Sequence, residues 1–120
     1  MRTLALSLGG LLILGLSAHS DVRLVMKVSP PVAVAPAGLT VRTTIEQSAD
    51  NRSLEVIAES PTYFRSSAVS LDGDRAPRVN EIVFRGLPAG RYQITARLVG
   101  ERGERATTSQ WFQAAAAPGQ

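Results

Sequence analysis

Along most of this chain, apolar and polar residues alternate with a period of two, the pattern of strands that bury one face. Val22, Leu24, Met26 and Val28 alternate with Arg23, Val25 and Lys27. Leu39, Val41, Thr43 and Ile45 alternate with Thr40, Arg42 and Thr44, and Leu54, Val56 and Ala58 with Glu55, Ile57 and Glu59. The β-branched side chains in these runs suit a pleated, half-buried surface. Ser48, Ala49, Asp50, Asn51 and Arg52 lie between the last two runs and carry turn chemistry, so that pair reads as a hairpin. A short strand from Ala68 to Leu71 ends at Asp72-Gly73, and Val79 to Phe84 is strand-like with Ile82 and Phe84 inward. Tyr92, Ile94, Ala96 and Leu98 give the cleanest alternation. A loop at Gly100 to Gly103 leads to a last strand, in which Ala106, Thr108, Gln110 and Phe112 share one face. Beyond the first twenty residues no window carries a capped 3.6-residue apolar period. The expected architecture is an all-β sandwich of about seven short antiparallel strands.

The breaks in the pattern matter as much. Ser29 to Gly38 contains Pro30, Pro31 and Pro36, which lack a donor and fix φ, excluding a central strand. The segment is either a linker or a kinked edge strand, and the alternation kept by Val32 and Val34 favours the strand. Ser60 and Pro61 interrupt the rhythm, so Tyr63, Phe64 and Arg65 read as an aromatic and basic loop. Asp74 to Arg78 reads as a polar loop carrying Arg75 and Arg78. These five residues are the candidate partner contacts, grouped in loops at one end of the sandwich; the alternative route to a partner is strand addition at an exposed edge, such as that of the last strand. The favoured reading of the rings themselves is structural: one of the Tyr63-Phe64 pair caps the core and the other lies against a strand, with Trp111 in core or rim packing and not a ligand platform. Gln113 to Gln120, with four consecutive alanines, reads as a flexible tail.

The first twenty residues are of another kind. Arg2 precedes an apolar stretch from Leu4 to Leu16, too short for the roughly twenty residues that span a bilayer but suited to a signal peptide. Ala18 and Ser20 stand at minus three and minus one if cleavage falls before Asp21. The organisation expected is a signal peptide over 1–20, a sandwich over 21–112 and a tail over 113–120. That places the mature chain in the periplasm or outside the cell, with no stable membrane insertion after cleavage. An uncleaved N-terminal anchor is the alternative.

Composition narrows the chemistry. The formal charge of +3 falls to +2 without Arg2, and basic and acidic residues are interspersed, so no stripe for nucleic acid is present. The chain has no cysteine, hence no disulfide and no thiolate. Its one histidine, His19, lies within the leader; its removal excludes Ser-His-Asp and Cys-His catalysis together with ordinary zinc sites. Asp72 and Asp74 lack the ligand spacing of a calcium loop and read as a turn. Glu55 and Glu59 share one strand face, two pleats apart, and solvate an outward surface. Asn51-Arg52-Ser53 forms a glycosylation sequon, relevant only where that machinery exists.

The stretch Phe84-Arg85-Gly86-Leu87-Pro88-Ala89-Gly90-Arg91-Tyr92-Gln93-Ile94-Thr95-Ala96 resembles the F-x-x-L-P-x-G-x-Y-x-V-x-A signature of bacterial immunoglobulin-like, fibronectin-III-like and Cna-B or transthyretin-like domains. The resemblance implies an immunoglobulin-like β-sandwich with structural roles for Leu87, Gly90 and Tyr92. Leu87 would plug the core, Pro88 and Gly90 would turn the chain between sheets, and the Tyr92 hydroxyl would bond back to loop backbone. An antibody-type domain would place cysteine at Ile94 and tryptophan at Val56, so that subtype is excluded. An isopeptide bond of the Cna-B kind would require Lys27, the only lysine, to point inward.

The leading expectation is a non-enzymatic, exported module that binds another envelope or extracellular protein or serves a structural role, with no cofactor, no metal and no catalytic residues. A carbohydrate-binding or carrier domain of transthyretin-like type is the alternative, and it requires exposed coplanar aromatics from only six aromatic residues. A small secreted inhibitor is a third. Oligomeric state is left open by the sequence.

Overall fold

The computed structural model describes residues 22–118. The signal-peptide reading of 1–20, with His19, lies outside the described residues. Eight strands form two sheets: β1 (Leu24–Ser29), β2 (Val32–Val34), β3 (Ala37–Ile45), β4 (Asn51–Ser60), β5 (Tyr63–Ser70), β6 (Val79–Leu87), β7 (Gly90–Gly100) and β8 (Gly103–Ala115). One sheet has the order β1-β3-β6 and the other β2-β8-β7-β4-β5. The chain is an immunoglobulin-like sandwich.

The period-two runs fall where alternation requires. Leu39, Val41 and Ile45 of β3, Leu54, Val56 and Ala58 of β4, and Tyr92, Ile94, Ala96 and Leu98 of β7 are all buried between the sheets. Phe84 and Leu87 of β6 and Phe112 of β8 complete this core. Tyr92 is its largest fully buried side chain, and its hydroxyl donates a 2.8 Å hydrogen bond to the Pro88 carbonyl. This is the tyrosine corner expected from the Leu87-to-Ala96 motif, and it fixes the turn between the two sheets. Burial pushes the Tyr92 phenol above its ordinary pKa, with the neighbouring Ser60 hydroxyl acting in the opposite direction.

The strand count is eight rather than seven, and one pairing is parallel. Pro30 and Pro31 carry the chain from β1 in the first sheet to β2 in the second, where β2 lies parallel to the end of β8 with Val32 opposite Gln113. The segment 29–38 is thus not a linker: it holds the edge strand Val32–Val34 between the end of β1 and the start of β3. The Pro31 carbonyl accepts from Gln113 N–H at 3.0 Å, and Ala35 N–H donates to the Ala115 carbonyl at 2.7 Å. This pairing corrects the boundary of the tail: Gln113 to Ala115 belong to β8, and Ala114 is buried. Local alternation could not reveal it, because alanine carries little pattern and the partner strand lies some eighty residues away in sequence. Lys27 faces solvent, opposite Arg42, the wrong orientation for an isopeptide bond.

Candidate functional site

Tyr63, Phe64 and Arg65 are not in a loop. They open β5, paired with β4 through Ser60 opposite Tyr63 and Glu59 opposite Phe64, because Pro61 and Thr62 make a turn tight enough for pairing to begin at once. Alternation then sends the three side chains to different places. Tyr63 turns inward and meets Tyr92 edge-on, with centroids 6.3 Å apart. Arg65 also turns inward across the open side of the sandwich, donating to the Arg85 carbonyl at 2.6 Å and to the Tyr63 hydroxyl. Phe64 alone points outward and is 61% exposed.

Arg75 and Arg78 lie elsewhere. Gly73–Arg75 forms one 3-10 turn after β5, and Arg78 reaches back to Gln47 at 3.1 Å. The eight residues of β5 separate this loop from Tyr63, roughly 23 Å along the strand at the usual rise. The five candidate contacts therefore occupy opposite ends of the sandwich, and the expectation of one loop cluster is corrected. At the Arg75 end, Asn51 is completely buried, its amide donating to the Glu46 carbonyl at 2.9 Å and accepting from Arg105. A buried, satisfied amide is inaccessible to glycosylation in the folded chain, so the sequon is a structural residue here. Asp72 and Asp74 are exposed turn residues, and among the described residues no cluster of acidic or histidine side chains is arranged to hold a metal.

The residues that do come together lie on the outer face of the five-stranded sheet. Trp111 stands opposite Gln93, Gln93 opposite Glu59, and Glu59 opposite Phe64. These four form one rung across β8, β7, β4 and β5, and facing pairs in an antiparallel ladder share a face. Trp111 is 52% exposed, which excludes the core half of the core-or-rim packing expected of it. Arg91, one pleat along β7, lays its guanidinium over the indole at 4.3 Å from the ring centroid. A groove of about 400 Å³ lies between Trp111 and Pro61 and is lined by Arg91, Gln93, Glu59 and Ser60, with Phe64 outside it.

The rest of the face differs in kind. Thr95 is hydrogen-bonded to Ser109 at 3.0 Å on the next rung. On the one after, Arg97 bonds Glu55 at 2.6 Å and Glu104 at 2.9 Å. The Glu104 hydrogen bond, followed by the Glu55 charge, holds the Arg97 guanidinium above its ordinary pKa. That half of the face satisfies itself. On the aromatic rung, no side-chain hydrogen bond or ion pair to Gln93 or Glu59 occurs among the described residues. Sequence phase held half of this arrangement, since inward Phe112 sends Trp111 outward; the register that aligns it with Phe64 was not legible.

No family model matches the sequence, and comparison with curated proteins finds no match. Among solved structures the chain is similar to superoxide reductase (neelaredoxin) from Ignicoccus hospitalis, at 9% identity and TM-score 0.53 over 80% of this chain and 82% of that one. A variant of that enzyme gives 10% identity and TM-score 0.56 over 85% and 86%. A family 76 glycoside hydrolase from a bovine Bacteroides thetaiotaomicron strain matches at 14% identity and TM-score 0.53, over 76% of this chain but 20% of the hydrolase. At these identities the likeness establishes the fold and carries no activity across.

Proposed function

We propose that the chain is an exported, non-enzymatic recognition module that binds through the outer face of its five-stranded sheet. The observation that carries this reading is the rung Trp111-Gln93-Glu59-Phe64, which presents two exposed aromatic rings on one face with polar groups between them that have no side-chain partner among the described residues. Exposed aromatics are costly to keep in water and are the usual anchors of binding surfaces. Export rests on the leader features at Arg2, Leu4 to Leu16, Ala18 and Ser20. Within the sandwich class, the Leu87-to-Ala96 motif and the hydrogen bond from Tyr92 to Pro88 align the chain with bacterial immunoglobulin-like, fibronectin-III-like and Cna-B-type domains.

The test is co-sedimentation of the purified protein with the cell-envelope fraction of its producing cells. Replacing Trp111→Ala together with Phe64→Ala is expected to abolish retention, while Arg75→Ala with Arg78→Ala leaves it unchanged. The opposite result would move the binding surface to the far loops.

A further inference from the structure

From the chemistry of the rung we infer that the ligand is a neutral, extended polysaccharide chain lying across the strands from Trp111 to Phe64. This inference rests on the outer sheet face being the binding surface. The direction is set by the groove, whose lining crosses β8, β7 and β4 from Trp111 to Glu59 and Pro61, and by Phe64, which stands opposite Glu59 on the next strand outside that lining. The two rings that end the rung, Trp111 and Phe64, are three inter-strand spacings apart, about 14 Å at the usual 4.7–4.9 Å per spacing. A peptide that binds by strand addition lies along a sheet edge and uses backbone hydrogen bonds, a different place and a different direction.

Polar satisfaction then selects the chemistry. Gln93 and Glu59 stand exposed between the two rings without side-chain partners among the described residues. An apolar protein surface seated on the rings would desolvate an unpaired amide and carboxylate, a costly outcome. Sugar hydroxyls donate and accept, so a glycan satisfies both groups while its C–H faces pack on the indole and phenyl rings. The Arg91 guanidinium stacked on Trp111 holds the indole in place and leaves N–H donors at the rim of the groove.

Charge and twist refine the ligand further. The rung with its flank carries one carboxylate, Glu59, and one guanidinium, Arg91, which cancel, and the adjacent half of the face pairs Arg97 with Glu55 and Glu104. Nothing there favours a polyanion. Neighbouring strands rotate by roughly 20–25° each, so the two ends of the rung differ by about 60–75°. A single chain can follow that rotation, whereas a flat crystalline surface would touch one ring only.

Native affinity electrophoresis of the purified protein tests this, in gels containing hydroxyethyl cellulose, mixed-linkage β-glucan, xyloglucan or galactomannan, with polygalacturonate and heparin as polyanions. At least one neutral polymer is expected to retard the protein, with Trp111→Ala and Phe64→Ala each weakening binding about tenfold or more and Arg75→Ala without effect. Thermal melts of the two aromatic variants check that both remain folded. Failure of every neutral polymer, retardation by polyanions alone, or wild-type migration of both aromatic variants overturns the inference. If no neutral polymer binds and yet the double variant loses envelope retention, the glycan is refuted while the sheet face stands. If retention too is unaffected, both are refuted.

Discussion

Tyr92 joins the chemistry of one side chain to the stability of the whole sandwich. Its ring is fully buried against Tyr63 and Phe112, and its hydroxyl spans the turn to the Pro88 carbonyl. Tyr92→Phe keeps the ring and deletes the hydrogen bond, so chemical denaturation should show a loss of about 1 kcal/mol. Because burial raises the phenol's pKa, the folded state disfavours the phenolate. Its contribution is complete below the ordinary tyrosine value near 10 and is lost as pH rises from there through the folded-state value. Wild-type stability is therefore expected to fall above about pH 10, and the Tyr92→Phe variant to fall less over that interval. Equal slopes for the two proteins would remove Tyr92 from the account. Trp111 and Phe64 are the converse: solvent-facing side chains whose replacement should change stability by no more than about 0.5 kcal/mol while affecting binding.

At the scale of elements, the period-two pattern located the central strands β3, β4 and β7 closely because each is half buried along its whole length. It failed where the local pattern is silent. Pro61 looked like the start of a loop, yet a two-residue turn sufficed and β5 begins at Tyr63. The parallel pairing of β2 with the end of β8 depends on two segments far apart in sequence, one rich in proline and the other in alanine, neither carrying a register signal. The pairing also has a measurable consequence. Truncation after Ala117 should leave the melting temperature unchanged, whereas truncation after Phe112 removes Gln113 to Ala115, uncovers β2 and should lower it by several degrees. Identical melts for the two truncations would mean that β2 is held without β8.

At the scale of the molecule, the two ends and two faces of the sandwich have separate tasks. One end is closed by the Tyr92 corner and the other by the buried Asn51 with Arg105 and Glu46. The outer face of the five-stranded sheet divides into a self-paired half around Arg97 and an aromatic half around the Trp111 rung whose Gln93 and Glu59 have no side-chain partner among the described residues. The fold class, the core residues and the tyrosine corner could be read from the chain, because each depends on alternation or on a compact motif. The rung could not, because it is assembled by the registers of three strand pairs. Hydroxyl-radical footprinting of the protein bound to the envelope tests the binding face most directly, since it reports side-chain exposure whatever the ligand. Trp111 and Phe64 should lose reactivity on binding while Val79, beside the Arg75–Arg78 loop, keeps it. Unchanged reactivity at Trp111 and Phe64, with protection around Val79, would contradict the account.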